Sequence, residues 1–343
     1  KFCVMLVAPL LLGSLDSTPQ ALTEPGQAGP RVAVLLSGAL RTLDWCTESL
    51  RTNLVEANPA MTFDFFAYLT ADDGVDRAAM ERSVDASLRN VSSTEPKVRL
   101  VTESEALAAV MQALMPDMQK MPAGRGTATG KSSNIIQMFN GIAGAATLLS
   151  ETTGGDGPKS KLQSCNGAEG GAETIAVAAK YDLILRTRPD LCLCEPLDLH
   201  QVHNDAATTV HVPWFNLWQD RSPPACNYAF DQMALGRTAP MMRYVNGFSS
   251  LCKEVTARKE LYPEHMMGLH LNRAGLSLKI LDGFHGALAR ADENSSVPTI
   301  TYVDPFAKLK QDIDDPLSGL GCLREAPSLP DKPLCQPSAP RHI

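Results

Sequence analysis

The segment RVAVLLSG, residues 31–38, is apolar at every position from Val32 to Leu36 and closes on Ser-Gly. A continuous branched apolar run of this length, with no alternation of inward and outward positions, suits a strand buried on both faces. The segment that follows, LRTLDWCTESLRTNLVEAN, places Leu43, Cys46, Leu50, Leu54 and Val55 at helical spacing. MTFDFFAYLT (61–70) reads as a second strand and KVRLVTE (97–103) as a third. Strand alternating with helix predicts an α/β fold: a mostly parallel central sheet with helices on both faces.

The same grammar continues downstream. SEALAAVMQALMPDMQKM (104–121) reads as helix with a break at Pro116, and SSNIIQMFNGIAGAATLLSE as a second helix capped by Ser132 or Ser133. Residues 152–173 are poor in apolar side chains and rich in Gly and Ser, so they read as a surface insertion. In YDLILRTRPDLCLCEPLDL, Leu183, Ile184 and Leu185 form a short buried strand, with Arg186, Arg188 and Asp190 at its carboxyl end. Ligands of open α/β sheets bind outside such ends. TTVHVPW, FDQMALGR, LSLKILDG and TITYVD read as later strands, and YPEHMMGLHLNRAG as a helix begun by Pro263 and stopped by Gly275.

GRGTATGKSSN (124–134) comes close to a phosphate-binding loop. That motif needs Gly, four residues, then Gly-Lys-Ser/Thr, and counting back from Gly130-Lys131-Ser132 puts Arg125 where the first glycine belongs. The loop also follows a helix where the motif requires a strand, and a loop that caps the next helix is the simpler reading.

A net charge of −7 argues against a surface built for nucleic acid or anionic lipid and leaves room for a local basic pocket. The opening KFCVMLVAPLLLG (1–13) has the charged start and short apolar core of a signal peptide or short signal anchor, which would make an N-terminal membrane anchor; a buried first strand or helix is the alternative. Residues 14–30 form a polar, Pro/Gly-rich stem, 31–313 a single domain, and 314–343 a Pro-rich tail that Cys322 and Cys335 could pin. Sequons at Asn90 and Asn294 agree with passage through the secretory pathway. Of nine cysteines, eight lie beyond the leader and can pair in an oxidising lumen. Cys192 and Cys194 share one side of a strand and suit bridges to other segments better than zinc, for which no ligand spacing is present.

RVAVLLSGALRT, FDFFAYLT, YDLILRTRPDL and FDQMALG with PEHMMGLHL, in this order and spacing, resemble a group of GT-A-like glycosyltransferases of algae, plants and microbes. The resemblance spans about residues 31–290. It implies a Rossmann-type domain that carries a sugar from a nucleotide-sugar donor to a hydroxyl of a glycan or glycoprotein acceptor, in the Golgi lumen or after secretion.

The resemblance also distributes roles. Ser37, Gly38, Arg41 and Thr42 in the loop after the first strand would approach the nucleotide, Gly38 by its lack of a side chain and Arg41 by pairing with a phosphate; otherwise Ser-Gly merely ends the strand. Asp72, with Asp73, would read the base or ribose, or make a turn. Enzymes of this kind place an Asp-x-Asp pair where Arg188-Pro189-Asp190 stands, to hold Mn²⁺ or Mg²⁺ against the diphosphate. With the first carboxylate missing, Asp190 would be the remaining ligand, Arg186 and Arg188 would supply positive charge, and metal dependence is in doubt; an ion pair of Arg186 with Asp190 is the structural alternative. Asp231 would deprotonate the acceptor. Glu264 joins it as a catalytic candidate or caps its helix, and His270 is a metal ligand or a packed residue. Trp214 and Trp218 offer faces for a sugar ring, or core. Two rivals stand beside this reading: a luminal sulfotransferase or other nucleotide enzyme using residues 124–132 with Lys131, and a non-catalytic carbohydrate-binding protein on a degenerate transferase fold.

Overall fold

The computed structural model describes residues 29–40, 42–109, 130–153, 177, 179–203, 205–213, 215–218, 225–247, 263–281, 284, 286–292 and 295–303. The leader, nearly all of the stem, the 154–173 part of the insertion, the tail, Trp214 and Arg41 lie outside them. So do residues 124–129 and Asn294.

Strand and helix alternate as the apolar pattern requires. β1 (Arg31–Ala39) leads to α1 (Leu43–Leu50), which runs on through a wider π turn, Arg51–Val55. β2 (Thr62–Ala71), α2 (Arg77–Arg89) and β3 (Lys97–Thr102) follow, then α3 (Gly130–Thr152) and β4 (Leu183–Thr187). β5 (Leu191–Leu193), α4 (His200–His203), β6 (Thr209–Val212), β7 (Phe215–Trp218), β8 (Ala225–Ala229) and β9 (Met233–Arg237) come next. The last elements are α5 (Thr238–Val245), α6 (Pro263–Arg273), β10 (Ser277–Ile280), β11 (Gly286–Asp292) and β12 (Ser295–Val303).

Seven strands form the central sheet in the order β10-β6-β9-β4-β1-β2-β3. β1 pairs in parallel with both β2 and β4, β2 with β3, and β6 with β10. β9 alone runs against both its neighbours. The chain steps from β1 outward to β3, then crosses back to place β4 on the other side of β1. Right-handed crossovers put α1 and α2 on one face and α3 on the other, which is why Val32 to Leu36 are all 0% exposed. Fully burying each of the larger side chains in that run is worth about 1.5–3 kcal/mol. The fold is thus α/β with a mostly parallel central sheet, as the alternation predicted. A smaller antiparallel sheet, β12-β11-β5, and the β7-β8 hairpin complete it.

The one acid within the apolar run of β2, Asp64, is buried and satisfied: it accepts from Arg31 (2.5 Å), the Tyr181 hydroxyl (2.9 Å) and Thr94 Oγ1 (2.7 Å). This network ties the amino-terminal edges of β1 and β2 to the entry of β4. On the opposite edge, α3 lies close on β1 and β2 because it presents glycines: Gly141 faces Ser37, and Gly144 faces the ring of Tyr68. The helix begins at Gly130, ahead of the cap expected at Ser132 or Ser133, so both serines fall inside its first turn. Residues 103–109, directly after β3, are already helical.

A disulfide joins Cys46 on α1 to Cys192 on β5, with Cα atoms 4.5 Å apart, and Cys194 is disulfide-bonded as well. The expectation that neighbouring Cys192 and Cys194 bridge to other segments therefore holds. Cys226 keeps its thiol, and burial pushes its pKa up to about 12. Asn90 stands exposed at the carboxyl end of α2.

Candidate active site

The order β2-β1-β4 reverses the direction of winding at β1/β4, and the crevice outside the carboxyl ends of those two strands is where an open α/β sheet binds its ligand. Register places Leu36 of β1 level with Thr187 of β4, and Thr187 level with Met233 of β9. Because β9 runs backward, the residues just before it lie at the same edge as those just after β4. One crevice rim therefore gathers Ser37 and Gly38, Arg188 to Asp190, and Asp231.

The two loops of the rim touch. Gly38 has φ +142°, a conformation side chains rarely adopt, and a Cβ there would meet Pro189 Cδ at 3.3 Å. Its glycine is required by the backbone and by the packing of one loop on the other. Thr42, at the start of α1, is buried and donates from Oγ1 to the carbonyl of Ala289 (2.5 Å), which anchors the first loop to β11. Ala289 N–H donates in turn to the carbonyl of Asp190 (2.9 Å), anchoring the second. The Cys46–Cys192 bridge stands directly behind both.

Arg186 is placed differently from the expectation that it meets the donor. It is 0% exposed, inside β4, with Nε donating to Ser37 Oγ (3.2 Å) and Nη1 to the backbone carbonyl of Asp231. Burial drives its pKa down, against the pull of Tyr244 and Asp231. Its Nη2 and the hydroxyl of the equally buried Tyr244 are each without a hydrogen-bond partner in good geometry, and the two residues are near enough to act on each other's charge. Burial raises the Tyr244 phenol to about 12. Arg186 thus holds the β1 end and the Asp231 backbone from beneath, and does not pair with Asp190.

Arg188 does. Its Nε and Nη2 grip the two carboxylate oxygens of Asp190 at 2.7 and 2.6 Å, and Asp190 is 0% exposed. Burial lowers the Arg188 pKa, but the bonds and charge of Asp190, with the charge of Asp231, outweigh it and the net shift is upward. Asp231 is 6% exposed. Burial first, then the charge of Glu264, raises its pKa against the opposing pull of Arg186 and Arg188. Glu264, in the first turn of α6, is near enough for its charge to act on Asp231.

The remaining candidates separate from this group. His270 is buried on α6 with Nε2 at 3.0 Å from the carbonyls of both Arg243 and Tyr244, so that nitrogen donates to the end of α5. The packed reading of this histidine replaces the metal-ligand one. Asp72 is exposed in the turn after β2, and Asp73 accepts from Ser104 N–H (3.2 Å) and its hydroxyl, capping residues 103–109. A groove lined by Leu40, Leu43, Asp44, Asp76, Met80 and Val84 opens between α1 and α2, with two acids in its wall. Among the described residues no group of three His, Cys, Asp or Glu side chains is placed to hold a metal ion. Among those residues Asp190, its two oxygens held in the Arg188 fork, is the one acid standing where the Asp-x-Asp comparison implied a Mn²⁺ or Mg²⁺ ligand.

Tyr244 and the glycines of α3 belong to the site's frame and were not singled out by sequence. A tyrosine in an amphipathic helix carries the pattern of ordinary core, and helical glycines give no local sign of what they face.

No family model matches the sequence, and no curated protein matches it. Among solved structures the chain is similar to the apo form of mouse xyloside xylosyltransferase 1, at 11% identity, over 74% of this chain and 85% of that one, with a TM-score of 0.36. A likeness of that size carries neither fold nor function, which rest on topology and site geometry.

Proposed function

We propose that the chain is a glycosyltransferase that moves a sugar from a nucleotide-sugar donor to a hydroxyl of a glycan or glycoprotein acceptor. The observation that carries this reading is the buried, raised-pKa Asp231 at the β1/β4 switch point, flanked by Arg186, Arg188 and Glu264. A carboxylate displaced upward toward the working pH is suited to accept a proton in the transition state. Arg188, the partly exposed cation beside it, suits a phosphorylated leaving group.

In the proposed step the acceptor oxygen bonds to the anomeric carbon, its proton passes to Asp231, and the carbon–oxygen bond to the nucleoside diphosphate breaks. The diphosphate departs with the bonding electrons, against positive charge at the crevice rim. Arg186 acts from below as a positioning residue, since its Nη1 fixes the Asp231 backbone. The meeting of three of the separated sequence pieces at one crevice, through Ser37 and Gly38, Arg188 to Asp190, and Asp231, supports the resemblance on which the nucleotide-sugar donor rests. The Cys46–Cys192 bridge supports a working place in an oxidising lumen.

The test is donor binding and sugar transfer measured separately. Purified chain is screened for thermal stabilisation by UDP- and GDP-sugars, then for transfer to an acceptor panel. Asp231→Asn should keep donor binding and lose transfer by about 10²–10⁴-fold. Stabilisation by adenosine phosphosulfate alone, lost in Lys131→Ala, would move the function to the glycine loop. Binding with no turnover in the wild type would leave a carbohydrate-binding protein.

A further inference from the structure

We propose that the crevice binds its donor's diphosphate without a divalent cation, Arg188 taking the ion's place and Asp190 serving to aim it. This rests on the transferase reading and specifies how that site handles charge.

The argument starts from the carboxylate. A metal-binding acid must offer lone pairs to the ion, yet both oxygens of Asp190 accept from one guanidinium at 2.7 and 2.6 Å, and the residue is 0% exposed. A cation reaching Asp190 would meet a buried carboxylate whose charge one guanidinium already pairs, with only the lone pairs outside the fork to offer. No second acid completes a three-donor group with it among the described residues.

Next comes the arginine. A guanidinium has five N–H donors in one plane, and the fork to Asp190 uses two. The remaining N–H groups, two on Nη1 and one on Nη2, point away from Asp190, and the Arg188 side chain is 23% exposed while its partner is not exposed at all. In the proposed site this unused edge is the part that meets the ligand, and its donors suit phosphate oxygens. The shape is fixed in advance. Pro189, between the two, is buried against Gly38, the next carbonyl is tied to Ala289, and two residues on Cys192 is bridged to α1. A donor set held rigidly needs no ion to organise it.

The experiment is calorimetric titration of UDP and of GDP into the full chain, in EDTA and again in excess Mn²⁺ or Mg²⁺. The expected result is that the nucleotide which binds does so with the same Kd, within about twofold, in all buffers. Arg188→Lys, which keeps the charge but loses the fork, should weaken it about tenfold or more, with melting temperature and circular dichroism confirming the fold. Binding that vanishes in EDTA, returns with Mn²⁺ and is lost in Asp190→Asn would overturn the proposal while leaving the transferase reading intact. Absence of nucleotide binding in every buffer would remove both.

Discussion

The closeness of α3 to the sheet yields a prediction with its own internal control. Gly141 and Gly144 lie less than one turn apart in the middle of the same helix, and both face β1 or β2. A Cβ added at Gly141 would find Ser37 Cβ at 3.7 Å and the Gly38 nitrogen at 3.8 Å, ordinary contact distances. A Cβ at Gly144 would lie 2.5, 2.6 and 2.6 Å from Cδ2, Cε2 and Cγ of Tyr68. The last of these atoms is the root of the ring, so a small swing of χ angles cannot relieve the overlap. The ring is held by its packing on α3, and its hydroxyl faces Asn140. Replacing Gly by Ala in a helix interior gains about 0.8–1 kcal/mol of propensity at either site, so that gain cancels in the comparison. What remains is the overpacking cost at Gly144, about 1–3 kcal/mol. Gly141→Ala should therefore be more stable than the wild type, and Gly144→Ala less stable than Gly141→Ala by about 1–3 kcal/mol. Urea denaturation with a common m-value reads the difference as a shift in midpoint; in thermal melts it should appear as about 2–4 °C per kcal/mol for a domain of this size. Equal stability of the two variants would refute the claim that Gly144 is where helix and sheet touch most closely.

Two further expectations follow from the site and its frame. Asp231 has a folded pKa above its unfolded one, so its contribution to stability is complete below the ordinary carboxylate pKa and is lost as pH rises through the raised value. Asp231→Asn should therefore be the more stable form at neutral pH, its advantage shrinking as pH falls toward the carboxylate range; an advantage constant from pH 4 to 8 would contradict the burial argument. Cys46→Ala with Cys192→Ala opens a loop with sequence separation 146, for which the chain-entropy relation gives a loss of about 5 kcal/mol, and about 2–4 kcal/mol is typical; reversible denaturation of the paired variant measures it, and a loss below about 0.5 kcal/mol would mean the second bridge at Cys194 already provides the constraint.

The sheet was legible because its information is local. Val32 to Leu36 announces a strand covered on both faces, and Pro263 with Gly275 marks both ends of α6. The backward run of β9 was not legible, since MALGR has the same apolar pattern in either direction; yet that reversal is what carries Asp231 to the rim. The site was legible as a set of residue types and not as a set of partners. Arg186 and Arg188 are two apart on one extended segment, and only the register decides which faces Ser37 beneath and which meets Asp190 at the rim. His270 had the chemistry of a ligand, but its Nε2 partners are backbone carbonyls at the end of α5, which no side-chain pattern encodes. Gly38 was read as room for a ligand, whereas its neighbour is Pro189 of the facing loop.

The bridge between α1 and β5 also sets a schedule for the nascent chain. At about 5–20 residues per second of synthesis, Cys46 is made roughly 7–30 s before Cys192, the interval set by their sequence separation of 146. Through that interval β1 and β2 can pair, but β4 does not yet exist, and Cys46 waits as a thiol while one other cysteine, Cys165, is made before its own partner. The rim is therefore assembled only once Cys192 and Asp231 have been made, and a thiol–disulfide exchange catalyst acting on a wrongly paired Cys46 would raise the yield of chains with a closed crevice while leaving the first three strands unaffected.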